Sequence, residues 1–335
     1  MRVAIVHDDL VQWGGAERVL GGICEIFPDA PIYTSVFDYS NNQLAQRFAS
    51  KKIITSFLQK IPGWKKLYKV MLPFYPIAFE QFDFSDYNLV ISHTTRFAKA
   101  VITKPRTRHI CYCHTPPRFL WHFSGEGNYG ILEPLMTKLR VYDQVSARRV
   151  DYFIAGSRNA QKRIKRTYGV DSKVVYPFVD LQRFKDVETF DGGYFVVMGR
   201  PSVYKRFEVA IEACKKVGVP LKIISGDYDD EMVVEILAGC KALIIPGIED
   251  FGLSSLEAQA LGKPVIAYRA GGALENVIEG VTGLFFEEAK VSNLIDTINR
   301  FNDLNHWNKN IIEKNASEFD KEKFFKNFKQ VVASL

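Results

Sequence analysis

Short runs of β-branched and apolar residues alternate with helical periodicities along this chain, and the alternation starts twice. The first series predicts strands over 2–7, 31–37, 89–93, 109–114, 151–157 and 173–176, with helices over 16–27, 131–150 and 158–168. Around 177–184 the periodicity lapses. A strand over 194–199 then restarts it, followed by a helix over 206–217, strands over 221–226, 242–246, 264–268 and 283–286, and a helix over 254–261. Strands separated by helices pair in parallel, because the connection must cross back over the sheet. The fold class expected is therefore α/β, with two Rossmann-like, doubly wound parallel-sheet domains over 1–180 and 181–315. A length of 335 residues, beyond what one hydrophobic core organises, agrees. In such sheets ligands bind beyond the carboxyl ends of the strands. The loops after His7, His114, Gly199, Gly226, Pro246 and Tyr268 are thus where chemistry is expected.

Composition removes several classes of function. An apolar fraction of 47% with 24% charged residues is that of a globular chain and argues against disorder. No run of 18 or so uncharged apolar residues occurs, and the opening apolar stretch runs straight into His7, Asp8 and Asp9, so neither a spanning helix nor a signal peptide is expected. Five scattered cysteines make a poor disulfide framework and fit a reducing cytoplasm. Cys111-Tyr112-Cys113-His114 lacks trustworthy zinc spacing, and two cysteines on one strand face read as small buried hydrophobes, so no metal is assigned there.

The charge is split. Residues 1–180 carry 25 Lys and Arg against 15 Asp and Glu, net +10; residues 181–335 carry 19 against 23, net −4. A basic first half suits an anionic partner. No recognition helix, zinc spacing or aromatic RNA-binding signature accompanies it, so nucleic acid is not expected. Lys51, Lys52, Lys60, Lys65, Lys66 and Lys69 interleave with Phe57, Trp64, Leu67 and Tyr68, a combination suited to an anionic membrane surface; a solvated basic face over an ordinary core is the alternative. The expected location is cytoplasmic, peripheral on the inner face of the cell membrane. Oligomeric state leaves no mark on the sequence.

Several loops carry candidate chemistry. Gly14-Gly15 open a helix about seven residues after the first strand, too far and with the wrong spacing for a dinucleotide fingerprint, although paired glycines let an anion approach free amides. Arg200 and Lys205 follow the strand over 194–199, where two cations can bind a diphosphate. The stretch Glu249-Asp250-Phe251-Gly252-Leu253-Ser254-Ser255-Leu256-Glu257 follows an apolar strand and enters a helix. It offers carboxylates at both ends for sugar and ribose hydroxyls, and helix amides for phosphate. Ser254 to Glu257 also reads as a capping box, in which Glu257 merely closes the helix start. Asp227, Asp229 and Asp230 form a D-x-D-like cluster that reads as a solvated acidic loop ahead of a Mg²⁺ site.

Glu249-x7-Glu257 around Phe251-Gly252, Gly199-Arg200-x4-Lys205, Gly14-Gly15-Ala16-Glu17-Arg18, Ala270-Gly271-Gly272 and Gly280-Val281-Thr282-Gly283 together resemble the retaining glycosyltransferases of family 4, with the GT-B fold. Val6-His7-Asp8, Phe79-Glu80-Gln81-Phe82-Asp83, Cys111-Tyr112-Cys113-His114-Thr115-Pro116 and the segment 149–155 resemble its O-antigen mannosyltransferase branch.

The resemblance implies a donor bound in a cleft between the two domains, and a final helix within 316–335 packing back on the first. Glu249 would hold the donor sugar's hydroxyls with the amides of Phe251 and Gly252. Asp250, Leu253 and Ser254 would complete that loop, and Glu257 would take the ribose. Arg200 and Lys205 would neutralise the diphosphate without a metal, with Gly14 and Gly15 at its far side. His114 matches the family's cleft histidine, which orients the sugar; a structural histidine capping its strand is the alternative. Asp9 and Arg118 are the acceptor-side candidates. The implied reaction moves a hexose, foremost mannose from GDP-mannose, to a lipid-linked or cell-surface glycan with retention. A UDP-sugar donor, or a catalytically silent subunit that binds nucleotide or glycan, is the alternative. The chain departs from the family between 227 and 241, where fifteen residues stand in place of a further strand and helix.

Overall fold

The computed structural model describes residues 1–67, 70–123, 129–226, 228–304 and 307–334. The chain forms two compact units, Met1–Val175 with Phe328–Leu335, and Tyr176–Asn327. The first holds β1 (Val3–His7), β2 (Ile32–Thr34), β3 (Ile53–Thr55), β4 (Leu89–Thr94), β5 (Arg108–Cys113), β6 (Tyr152–Ala155) and β7 (Ser172–Val174). They pair in parallel in the order β3-β2-β1-β4-β5-β6-β7. The second holds β8 (Tyr194–Met198), β9 (Leu221–Ile224), β10 (Cys240–Ile245), β11 (Val265–Tyr268) and β12 (Gly283–Phe286), parallel in the order β12-β11-β10-β8-β9.

Both orders reverse direction once, between β1 and β4 in the first sheet and between β8 and β10 in the second. At such a switch point consecutive helices leave on opposite faces and a crevice opens at the carboxyl edge. Every residue of β1 (VAIVH) and β4 (LVISHT) is buried, as a parallel strand covered on both faces requires. Cys111 and Cys113 of β5 pack with Ala147, Phe153, Ala160 and Ile164, and all five cysteines are buried thiols. Among the described residues no helix is long and apolar enough to cross a membrane.

Two segments differ from the sequence reading. The lysine-rich stretch contains β3, whose three residues pair in register with β2 inside what reads as a basic surface. Lys51 does not face outward: its Nζ donates to the carbonyls of Cys24 and Phe27 (both 3.0 Å), closing the helix Gly15–Ile26. Lys65 pairs with Asp38, and Trp64 packs against the core. Lys52, Phe57, Lys60, Lys66 and Leu67 are exposed, while Tyr68 and Lys69 lie outside the described residues.

The segment 227–241 holds a helix, Asp230–Ala238, rather than an acidic loop. Asp229 caps it by accepting from the Met232 N–H at 2.7 Å, and Asp230 begins it; Asp227 lies outside the described residues. At the carboxyl terminus the helix Lys321–Ala333 carries Phe328, which packs against Phe27 and Tyr112 in the first unit. Leu335 is not described.

Candidate functional site

In the second unit the loops after β8, β10 and β11 lie side by side, because those strands are neighbours in the sheet. Lys205 ends the turn after β8 and Glu249 follows β10, so the two flank the switch point. Lys205 Nζ forms an ion pair with Glu249 Oε1, each side chain 14% exposed. Two close backbone approaches hold this arrangement. A Cβ on Gly247 would overlap the carbonyl oxygen of Tyr204, and one on Gly272 would overlap the Phe251 backbone. Only glycine lets these loops touch.

Phe251 is buried, its ring stacked on Tyr176 at 5.3 Å and edge-on to Phe319 at 5.4 Å. Its carbonyl accepts from Asn276 Nδ2 at 2.6 Å. The ring therefore anchors the loop in the core while the backbone beyond it enters the helix Leu253–Ala260, capped by Gly252 in the left-handed region at φ 88°. Asp250, Gly252, Leu253 and Ser254 are half-buried along that loop.

The capping-box reading of Glu257 fails here. The helix starts at Leu253, which puts Glu257 in its second turn, where its Oε1 accepts from Arg183 Nη1 at 2.7 Å. Arg183 Nη2 also stands 3.5 Å from Asp230 Oδ1. Arg183 was not singled out in the sequence, because it lies in the aperiodic connection and no spacing ties it to Glu257. Arg200 is exposed and has no ion-pair partner among the described residues. The two cations read together on the sequence thus stand apart in role: one is committed to a carboxylate and one is open to solvent.

In the first unit the carboxyl edge is built from histidines. Parallel register sets His7 of β1 opposite His93 of β4, and His93 opposite Tyr112 of β5. His114, two residues beyond Tyr112, falls on the same face. His7 Nδ1 lies 3.0 Å from His93 Nδ1, and His93 Nε2 lies 2.7 Å from His114 Nε2. At the other end His7 Nε2 faces Glu17 Oε1 at 3.8 Å. Burial opposes a charge on His7, but the hydrogen bond and charge of Glu17, with Asp8 and Asp9, outweigh it and raise its pKa above the ordinary imidazole value. Burial, then the neighbouring His114 and His7, holds His93 well below it. Neither His7 nor His93 was read from the sequence as a site residue, although His7 ends β1 and His93 stands one residue before the end of β4, at the sheet's binding edge.

Gly14 and Gly15 open the helix Gly15–Ile26, with Glu17 buried in its first turn. Asp8 accepts from the backbone N–H groups of Thr95 (2.7 Å), Arg96 (3.0 Å), Phe97 (2.9 Å) and Ala98 (2.7 Å). Asp9 is ion-paired with Arg96 and accepts from the Tyr75 hydroxyl at 3.1 Å, so it is a braced carboxylate. Arg118 begins the short helix Arg118–Trp121 and is half-buried. His114, Gly14, Gly15, Asp9 and Arg118 therefore belong to the first unit, and the residues from Arg200 to Glu257 to the second. Among the described residues no three His, Cys, Asp or Glu side chains converge as a metal site.

Comparison with known proteins matches both units. The chain is 30% identical over 129 residues to the lipopolysaccharide 1,2-N-acetylglucosaminetransferase of Salmonella typhimurium, spanning 36% of this chain and 34% of that one. It is 34% identical over 96 residues to the alpha-1,3/1,6-mannosyltransferase ALG2 of Dictyostelium discoideum, spanning 28% and 22%. The matched segments thus amount to about a third or less of those relatives' length. The crystal structure of Anabaena Alr3699/HepE in complex with UDP superposes over 100% of both chains with a TM-score of 0.71 at 19% identity, and with the two sheet orders this establishes the GT-B fold. The family model for glycosyl transferases group 1 matches residues 181–318, which include β8 to β12. The model for Glycosyltransferase Family 4 matches residues 13–183, and with just over half of its length under that one description this chain belongs to glycosyltransferase family 4.

Proposed function

We propose that this chain is a retaining glycosyltransferase that transfers a hexose from a nucleoside diphosphate sugar to a glycan acceptor. The observation that carries this reading is the Lys205–Glu249 pair at the switch point of the second sheet. A carboxylate and an ammonium group held side by side match the two ends of an activated sugar. Glu249 accepts from sugar hydroxyls, and Lys205 with Arg200 meets the diphosphate. In the reaction the bond from the anomeric carbon to the phosphate oxygen breaks and a bond to the acceptor oxygen forms on the same face. The acceptor's proton passes to the departing phosphate. Negative charge grows on that phosphate, so cations aimed at it favour the transition state over the ground state. Glu257, steadied at Oε1 by Arg183, offers Oε2 to the ribose.

Mannose from GDP-mannose is the donor we propose, and a lipid-linked or cell-surface glycan at an anionic membrane surface is the acceptor. The mannosyltransferase among the relatives supports the sugar. A UDP-hexose is the second reading, favoured by the UDP-bound neighbour and the N-acetylglucosaminetransferase relative. The test is release of nucleoside diphosphate from a panel of nucleotide sugars, with and without lipid-linked acceptors and with EDTA. Turnover of one donor that survives EDTA supports the proposal. No release from any donor points to a silent binding subunit, and loss restored by Mg²⁺ defeats the side-chain-cation mechanism. Titration with GDP, UDP and ADP is expected to favour GDP by about ten- to thirtyfold, about 1 to 2 kcal/mol. A preference above a thousandfold would show a closed base pocket.

A further inference from the structure

The chain Glu17–His7–His93–His114 has a direction, and one carbonyl sets it. His7 Nδ1 lies 3.0 Å from His93 Nδ1 and 3.2 Å from the His93 backbone oxygen. A carbonyl can only accept, so His7 Nδ1 is the donor. Its other nitrogen faces a carboxylate, which also only accepts. His93 Nδ1 must then accept. A neutral imidazole has one donor and one acceptor, so His93 carries its proton on Nε2 and gives it to His114 Nε2 at 2.7 Å. The proton of a neutral His114 is left on Nδ1.

We propose that His93 is a positioning residue, whose hydrogen bonds hold His114 as the Nδ1–H tautomer and make it a hydrogen-bond donor to a substrate oxygen rather than a base. The role of that donor rests on the glycosyltransferase reading above; the tautomer does not. His93 is fully buried, with its ring stacked on Tyr112 at 5.5 Å and 15°. The Tyr112 hydroxyl donates to the Val175 carbonyl at 2.9 Å, and its ring meets His114 edge-on at 5.1 Å. The imidazole planes are thus fixed by packing. Gly156, after β6, borders the Nδ1 side of His114: a Cβ there would lie 3.7 Å from that nitrogen. Charged and titratable groups around the chain include Glu17 from the helix Gly15–Ile26, Asp8 and Asp9 after β1, Arg96 paired with Asp9, and Tyr112 from β5. The acidic ones gather at the His7 end, which keeps the positive charge there and His93 neutral.

The device differs in consequence from a general base. A base would lose function as acid protonates it, whereas a locked donor keeps its proton, so turnover should stay level across the range where histidine titrates. Its sense depends on an amide-like relay at position 93, a group that accepts on one side and donates on the other. Glutamine can do both, phenylalanine neither.

The experiment uses the full chain labelled with ¹⁵N-histidine, with two-bond proton–nitrogen correlations assigned through His114→Gln. In the unaltered protein His114 is expected to show a protonated Nδ1 and an unprotonated Nε2. His93→Phe should give a mixture of tautomers and lower kcat at least tenfold with the donor KM within threefold. His93→Gln should restore both the tautomer and kcat to within about threefold. An Nε2–H signal at His114 in the unaltered protein overturns the proposal, whatever the activity. So does an unchanged tautomer, or unchanged turnover, in His93→Phe. If His93→Phe does not fold, the glutamine variant decides: a shifted tautomer in a folded His93→Gln protein overturns it. Absence of any transferase activity would leave the tautomer readout standing and would sink the function proposed above instead.

Discussion

At the switch point of the first sheet two buried histidines and a half-buried one pass hydrogen bonds along one line, with a single acidic end, whereas at that of the second sheet two separate ion pairs, Lys205–Glu249 and Arg183–Glu257, are formed. The same architectural position is thus filled once by groups that order protons and once by groups that hold full charge. His93, held neutral, is fully buried with a partner at each ring nitrogen. The paired side chains of the second site carry full charge and keep 11% to 14% exposure. The difference predicts which kind of perturbation each edge will feel.

The largest effect should come from breaking the charge pair at the second site. Lys205→Met or Glu249→Gln is expected to lower turnover about a hundredfold and to cost about 1 to 3 kcal/mol of stability, since the partner is left unpaired. The double variant should recover most of the stability in urea titrations and none of the turnover. Recovery of turnover would show the pair to be structural.

Arg183→Met should weaken the same site more mildly. With Glu257 released, the donor KM is expected to rise about tenfold, about 1.4 kcal/mol, with kcat within threefold. A fall in kcat alone would mean that Arg183 acts on the chemistry.

Acid should strike the first unit. All histidines among the described residues lie in the first unit, and burial pushes His109 down to about 4. His109 and His93 have folded pKa values below the unfolded one. Their contribution is therefore intact above about pH 6.5 and lost as pH falls toward the folded values. His7, raised, runs the opposite way: its contribution is fully present below the unfolded value and is lost as pH rises through the folded one. For His109 alone the loss at pH 5 is about 2 kcal/mol. Three of the four tryptophans, Trp13, Trp64 and Trp121, are in the first unit, so Trp307→Phe makes fluorescence its reporter. Its urea midpoint should fall between pH 7 and pH 5, and His109→Gln should flatten that fall. A pH-independent midpoint would refute the assignment.

The smallest effect tests the basic surface. Lys51→Met should cost about 1 kcal/mol by releasing the helix carbonyls it holds, yet leave sedimentation with anionic vesicles unchanged. Lys60→Glu with Lys66→Glu should reduce sedimentation at low salt if these exposed lysines meet a membrane. Equal sedimentation with neutral and anionic vesicles would exclude that docking.

Both sheets were legible in the sequence because parallel strands buried on two faces leave continuous apolar runs, as in Val3 to Val6 and Ala242 to Ile245. β3 was not, since three residues carry no period and lysines surround them. Glu249, Lys205 and Gly252 could be picked out because each sits beside a strand end at a recognisable spacing. Arg183 could not be matched to Glu257, because their 74-residue separation is closed only by the fold. His7 and His93 show the intermediate case. Each was visible at a strand end, but their hydrogen bond depends on β1 and β4 being neighbours, which chain order alone does not state.

The grip of Asp8 on four consecutive amides has a further consequence. Successive N–H groups converging on one point form a nest, the shape with which many proteins capture a phosphate or sulfate from solution. Here the chain supplies the guest itself, as a carboxylate from the neighbouring strand end, and the cradle after β4 is filled before any ligand arrives. Substrate anions therefore find no competing resting place on that loop. Replacing Asp8 with glycine would remove the built-in guest and leave the four amides to water or to an inorganic anion, turning an internal clasp into an open receptor.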